Sequence, residues 1–578
     1  MSHSKISKEP VRLSDGTVLD SFLVMLLGKR GILGQKAISK FLEPKLSDLP
    51  DPFLMSGMER AVVIIEKALK EKQSILIWGD YDVDGTTATS LLLKFFRSLG
   101  CEADFYIPNR LSEGYGLQEE GLRRISNNIQ HNDKVLITVD NGISAHNAVK
   151  IASGLGYTTI ITDHHMPPPE AVPADAILNP KQNNCSFPAK NLAGVGVAFY
   201  LAMGIRSYLI KNDFFKKSKS VPNLKELLDL VTVGTIADMV PLHGINRILV
   251  RAGMETMSKK GNKGLTALCR ACNLDPGFIR SEDISFQIAP KINAAGRLGD
   301  ANKAIHLFLA QTKKEGQTIS RNLVTNNEVR KNINISDFDK AVHDISSSDH
   351  SGDYSVVVNG EYHVGVAGIV ASNLVEKYKK PSIVLCEDMN GIYRGSARSI
   401  PGIDLYLAFE SCSKVLLKFG GHKMAGGLSI LACNISKFRE LFDDSICRQS
   451  DGHLLGPTDA VDADIEITEL FKNSTLRQLH LFEPFGQSNP QPIFRDTSPR
   501  FNEITPIGKD KSHLRLSFTN SNNGAGSSIK GIAFGLGAFA DKCRSVKDKE
   551  ILYTTSINFF RGKRNWQVRV TDIVFPNS

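Results

Sequence analysis

The sequence has no apolar run approaching the roughly 18 residues that a membrane-spanning helix needs. Its first ten residues, Met1 to Pro10, also lack the apolar core of a secretory signal. A cytoplasmic protein with no membrane partner is therefore expected. Cysteine is sparse and unpatterned: the 9 residues are scattered from Cys101 to Cys543, which argues against a disulfide framework. Only Cys269 and Cys272 form a C-x-x-C pair, in what reads as a helix, and no second pair stands at zinc spacing. Strong charge of either sign is missing too. Against 61 Asp and Glu there are 70 Lys and Arg, a net +9 over 578 residues, which permits a polyanionic partner without demanding one. With 42% hydrophobic and 23% charged residues the composition is globular, and at roughly 150 residues per domain the length implies several domains.

What the chain does have is a concentration of carboxylate. Asp80, Asp82 and Asp84 follow the apolar run Ser74-Ile75-Leu76-Ile77-Trp78, and Gly85 follows them. Alternation along a strand brings positions two apart to one face, and like charges gathered at the head of a buried strand call for a hard divalent cation with oxygen ligands. The opening also resembles an EF-hand loop. That loop needs a bidentate Glu at its twelfth position, where this chain has Leu91, and a helix in front, where this chain has a strand-like run. Asp82-Val83-Asp84-Gly85-Thr86 equally matches the opening of haloacid-dehalogenase-type phosphatases, in which one Asp attacks phosphorus.

Other strand-like runs deliver polar groups at their ends. Val135 to Val139 leads to Asp140, Thr159 to Thr162 leads to Asp163, His164 and His165, and the run from Leu228 leads to Asp238. Hard oxygen ligands plus imidazole suit Mn or Mg, and two such ions can hold both oxygens of an in-line displacement at phosphorus. The two-metal reading employs His164 and His165, which the phosphatase alternative leaves idle.

The organisation is α/β, with strands at 75–78, 104–107, 135–139 and 159–161 in a largely parallel sheet. Residues 1–55 read as an amino-terminal arm and 56–310 as the catalytic domain. A connecting helix is expected over 311–350, a smaller α/β domain over 351–452, and a small antiparallel barrel over 453–578.

Asp80-Tyr-Asp-Val-Asp-Gly85, Val139-Asp-Asn-Gly142 and Asp163-His-His165, in this order, resemble the signature motifs of the DHH phosphoesterases. Pro108-Asn-Arg110 with Gly114-Tyr-Gly-Leu117, Gly234-Thr-Ile-Ala-Asp238, Asn293-Ala-Ala-Gly-Arg297 and Phe419-Gly-Gly-His422 are similar to the RecJ branch, exonucleases acting on single-stranded DNA. The resemblance implies a DHH domain, a DHHA1 domain and a C-terminal OB-fold around a DNA groove. It also implies 5′-to-3′ release of mononucleotides in DNA repair and recombination, with a helicase and a single-strand-binding protein as partners.

Carried over by motif, Asp80, Asp82, Asp84, Asp140, His164 and Asp238 become metal ligands for two Mn or Mg ions. Asp82, Asp84, Asp140, His164, His165 and Asp238 become the catalytic set. Several smaller DHH phosphoesterases place a His where this chain has Trp78, which leaves the ligand set at one metal open. Arg110, Arg297, Ser396 and Arg398 are implied as a pocket for a 5′ phosphate, with His422 as a substrate contact. Guanidinium groups grip phosphate bidentately, which suits that role. The segment Asn558 to Trp566 interleaves aromatics with cations and reads as a hairpin surface for stacking bases. A phosphodiesterase of short oligonucleotides and a non-catalytic single-strand-binding scaffold are the alternatives.

Overall fold

The computed structural model describes residues 10–126, 134–215, 220–347, 354–388, 391–450, 461–471, 473–519, 528–560 and 563–576. They form two compact units, one of Pro50–Val240 with Leu249–Pro457, the other of Met1–Leu49 with Pro241–Ile248 and Thr458–Ser578.

The first unit opens with β1 (Ser74–Trp78), β2 (Asp104–Tyr106), β3 (Lys134–Val139), β4 (Tyr157–Thr162) and β5 (Ala176–Leu178). All neighbours are parallel, in the order β2-β1-β3-β4-β5. Ile75 to Trp78 and the whole of β3 are buried, the continuous apolar run of a strand covered on both faces. The strand order reverses at β1. The switch point thus falls between the carboxyl ends of β1 and β3, the place where open α/β sheets bind ligands.

Helix Val83–Ser98 follows β1 after a four-residue turn and is capped by Asp82, whose side chain accepts from the Gly85 N–H. Such a cap contributes about 1 kcal/mol. Asp80 and Asp82 therefore lie beyond the strand and Asp84 in the first helical turn. The tight turn, not strand alternation, brings the three together.

The connecting helix runs over Lys313–Ser347, 35 residues, or about 52 Å at 1.5 Å per residue. Beyond it a second sheet takes the order β6-β7-β8-β10-β9 from β6 (Val356–Gly360), β7 (Ser382–Glu387), β8 (Ile392–Arg398), β9 (Leu416–His422) and β10 (Ala425–Leu431). The residues expected at the end of the connecting helix, 348–350, and the start of the next domain, 351–353, lie outside the described set.

In the second unit a seven-stranded sheet runs β11-β12-β16-β17-β15-β14-β13, from β11 (Ala463–Asp464), β12 (Phe494–Asp496), β13 (Phe501–Ile507), β14 (His513–Thr519), β15 (Ser528–Ala533), β16 (Glu550–Phe560) and β17 (Lys563–Val574). It is mixed, because β11 pairs with β12 and β15 with β17 in parallel. Parallel neighbours need a crossover, and helix Ala540–Ser545 with β16 supplies the one between β15 and β17. Leu23, Leu26 and Leu27 share one buried core with Leu476, Phe482 and Tyr553. Side chains between Val11 and Leu42 are thus part of this unit's core. The expected boundary at 452–453 falls outside the described residues.

Candidate metal centre

Backbone geometry sets where the carboxylates lie. Asp84 accepts from the N–H groups of Gly194 (2.6 Å) and Val195 (2.8 Å), at the start of helix Gly194–Lys211. A Cβ on Gly194 would lie 2.7 Å from that of Asp140, so only glycine lets both acids approach. Asp140 follows β3 with φ of 63°, a left-handed conformation that costs a non-glycine residue on the order of 1 kcal/mol and marks functional sites. Asp238 caps helix Leu228–Ala237, and Met239 after it also has positive φ.

His164 joins these elements. Its Nε2 stands 3.1 Å from Asp140 Oδ1 and 3.9 Å from Asp84 Oδ2, and its Nδ1 3.6 Å from Asp238 Oδ2. Potential ligand atoms form three overlapping groups, each within 4.8 Å: Asp140, His164 and His165; Asp84, His164 and Asp238; Asp80, Asp82 and Asp140. Asp80 Oδ1, Asp140 Oδ1, Asp238 Oδ2 and His164 Nε2 are buried without hydrogen-bond partners among the described residues.

The electrostatics state the same shortage of positive charge. Burial, then the neighbouring Asp82, raises Asp84 to about 7. Burial, then Asp84 and Asp82, raises Asp238 to about 9. Asp80 and Asp140 are pushed well above the carboxylate range, again by burial first and a neighbouring Asp second. Burial and the adjacent His165 lower His164 to about 3, so its ring is neutral and one of its nitrogens has a lone pair available. A divalent cation relieves all of these at once, and hard oxygens with one imidazole suit Mn or Mg.

Asp163 does different work. Its oxygens accept from the N–H groups of Ile143, His164 and His165 and from His165 Nδ1 at 2.7 Å. Burial alone would raise it, but the His165 ring and the backbone donors outweigh burial and hold it below the usual range. It therefore fixes the orientation of His165, whose ring is partly open to solvent. Trp78 packs in the core against Tyr106, with ring centroids 4.3 Å apart, and donates to Gly116 O. It offers the cluster no ligand.

The second group of expected residues gathers nearby. The Arg110 guanidinium lies 5.1 Å from the Tyr81 ring. Gly296 sits so close to Tyr81 that a Cβ would be 2.5 Å from its carbonyl, which brings Arg297 to the turn between Asp80 and Asp82. Arg297 donates to Gly365 O at 3.0 Å. A Cβ on Gly368 would stand 2.8 Å from the Arg398 guanidinium and 2.9 Å from Ser396 Oγ. Burial, then the charges of Arg110, Arg330 and Arg398, lowers Arg297 to about 9. Cations crowded in this way call for an anion. His422, exposed at the end of β9, is in register with Ala425, which is in register with Arg398. Two strand spacings put it about 10 Å from Arg398.

In the second unit Phe559 is 43% exposed, whereas Trp566 packs against the core. The tip between them, residues 561–562, lies outside the described set. Sequence reasoning missed the Gly194 and Val195 donors and the Tyr115 hydroxyl, which donates to Asp140 O at 3.0 Å. The run Gly194-Val-Gly-Val at a helix start was the available signal for the first.

Three family models match the chain: "DHH family, N-terminal domain" over residues 74–235, "DHHA1 domain" over 352–447 and "RecJ OB domain" over 461–572. Fold and site together define a phosphoesterase of the DHH class. The single-stranded-DNA-specific exonuclease RecJ of Escherichia coli is 35% identical over 540 residues, 90% of this chain and 91% of the relative. RecJ of Thermus thermophilus, solved with Mn2+, superposes with a TM-score of 0.78 at 27% identity, covering 96% of this chain and 76% of that one. The same protein solved with Mg2+ gives 0.73 at 26% identity, over 96% and 75%. The chain belongs to the RecJ family of single-stranded-DNA-specific exonucleases.

Proposed function

We propose that this chain is a metal-dependent exonuclease that shortens single-stranded DNA from its 5′ end and releases mononucleotides, in DNA repair and recombination. The observation that carries the reading is the set of three overlapping ligand groups, with unpartnered buried lone pairs, at the switch point of the parallel sheet. Asp80, Asp82, Asp84, Asp140, His164 and Asp238 would hold two divalent ions, Mn or Mg. When bound, such ions supply an activated water and charge stabilisation on both sides of an in-line displacement at phosphorus.

The chain's own residues supply the rest. Asp163 orients His165 through the 2.7 Å hydrogen bond to Nδ1, which leaves Nε2 free to face a phosphodiester oxygen. Arg110, Arg297, Ser396 and Arg398 bind the terminal phosphate, a dianion matched to fork-shaped donors. Held there, the strand presents its first phosphodiester to the metal centre, so the end-binding pocket sets both polarity and product length. His422 contacts the strand beside the pocket, and in the other unit the exposed Phe559 offers a base a stacking face. No helix among the described residues is long and apolar enough to cross a membrane, and a cytoplasmic site of action fits a DNA substrate. A helicase and a single-strand-binding protein fit as partners that expose or hold single strands.

Product analysis on a 5′-labelled single strand tests this. The label leaves first, as a mononucleotide, in Mn or Mg and not in chelator. Label retained on progressively shorter fragments would overturn the polarity.

A further inference from the structure

The connecting helix carries a polar row that the packing of the fold does not explain. Its buried residues are Gly316, Ser320, Leu323, Asn327 and Ala341, and the spacing of four and three that links the first four continues through 330, 334 and 337, the side a helix turns toward its neighbours. At the two ends this side is small or apolar: Gly316 approaches Gly264 and Ala267 of helix Lys263–Ala271, and Ala341 lies in an apolar core. In the middle it holds Asn327, Arg330, Asn334 and Asp337.

Asp337 is accounted for, since it accepts from the His363 N–H at 2.9 Å. The others are not. Asn327 is 1% exposed, yet among the described residues both ends of its amide lack a hydrogen-bond partner, as do Arg330 Nε and Asn334 Oδ1. Buried polar atoms are nearly always paired, and a cluster of exceptions marks a place where a ligand or water belongs. The row adjoins the cationic pocket: Arg297 bonds to Gly365 O, two residues from the His363 that Asp337 holds, and Arg330 is among the three guanidiniums whose charge bears on Arg297.

We propose that Arg330, flanked by Asn327 and Asn334, forms a further wall of the terminal-phosphate pocket, so that the connecting helix itself binds the 5′-phosphate monoester. The proposal rests on the reading of Arg297 and Arg398 as that pocket. Arg330 Nε–H and the amide N–H groups donate to phosphate oxygens, and the amide oxygens accept from neighbouring guanidinium N–H groups. A single rigid helix then senses the end of the strand and links the two sheets of its unit.

The test uses the full chain with Mn2+ and one short single strand carrying either a 5′-phosphate or a 5′-hydroxyl, with KM measured for both. Arg330→Gln is expected to reduce the preference for the phosphate end, read as the ratio of the two KM values, by about tenfold, the loss of one charge-assisted contact. Asn327→Leu is expected to reduce it too, while raising the melting temperature of the DNA-free protein, because orphaned polar atoms are removed from a buried position. Arg398→Gln serves as reference. If it abolishes the preference while Arg330→Gln and Asn327→Leu retain it, the row holds water only and the proposal is wrong. If Arg398→Gln also retains it, the phosphate-pocket reading fails and this proposal with it. Should Arg330→Gln fail to fold, the ratio for Asn327→Leu decides alone.

Discussion

His164 Nε2 lies 3.1 Å from Asp140 Oδ1, and neither atom has a hydrogen-bond partner among the described residues. Two buried lone-pair bearers pressed together in this way are costly alone and favourable around a cation. Replacing Asp140 or His164 with Ala is expected to reduce cleavage at least about a thousandfold, as removal of a metal-assisted step does. Single-strand binding, proposed to rest on the cationic pocket and the OB domain, should be largely retained. Gel-shift and nuclease assays on the same preparations check this, and unchanged cleavage in either variant would count against the site.

The metal-free protein should be less stable than the loaded one. Adding Mn2+ to about 100 times its dissociation constant contributes about 2.7 kcal/mol through binding to the folded state alone, read as a rise in melting temperature that chelator reverses. Asp140→Asn should raise the melting temperature of the metal-free protein, since it removes one of several crowded charges, and should shrink the rise on adding Mn2+.

Without metal the pH dependence has a definite sign. Asp84 titrates near 7 and Asp238 near 9 in the folded chain, against about 4 when unfolded. Folded acids with raised values bind more protons than the unfolded chain, so their contribution is full below about pH 4 and is lost as pH rises through 7 and 9. Denaturant unfolding in chelator should show the site's contribution falling across that window, with Asp84→Asn flattening it. With Mn2+ present the trend should reverse, because ligands must be deprotonated to bind.

Gly194→Ala tests whether backbone placement sets the site. Its Cβ would fall 2.7 Å from that of Asp140, so one acid must move or the Gly194–Lys211 helix must retreat and loosen Asp84. Metal affinity should fall about 10- to 100-fold, the range typical of lost ligand support, as measured by manganese titration.

Much of this centre was legible in the sequence because each candidate ligand stands at or just past the end of an apolar run. The strands at Ser74–Trp78, Lys134–Val139 and Tyr157–Thr162 are recognisable locally, and the residues just past the ends of parallel strands share one edge of the sheet. The donors on Asp84 were only half legible: the run Gly194-Val-Gly-Val marks a helix start with exposed N–H groups, but Gly194 lies 110 positions away and nothing in the run says which acid it meets. The joining of Leu23 and Leu27 to a core containing Phe482 and Tyr553 was hidden for the same reason. Strand alternation explained the acidic triplet wrongly, since β1 ends at Trp78 and the turn into the helix does the gathering. The polar row of the connecting helix was diluted by the exposed polar residues between its members, so periodicity alone did not separate the two.

The most direct measurement is anomalous scattering from crystals of the protein soaked in manganese. Two peaks are expected among Asp80, Asp82, Asp84, Asp140, His164 and Asp238. A pocket empty of anomalous density at saturating manganese, or peaks confined to surface carboxylates, would contradict it.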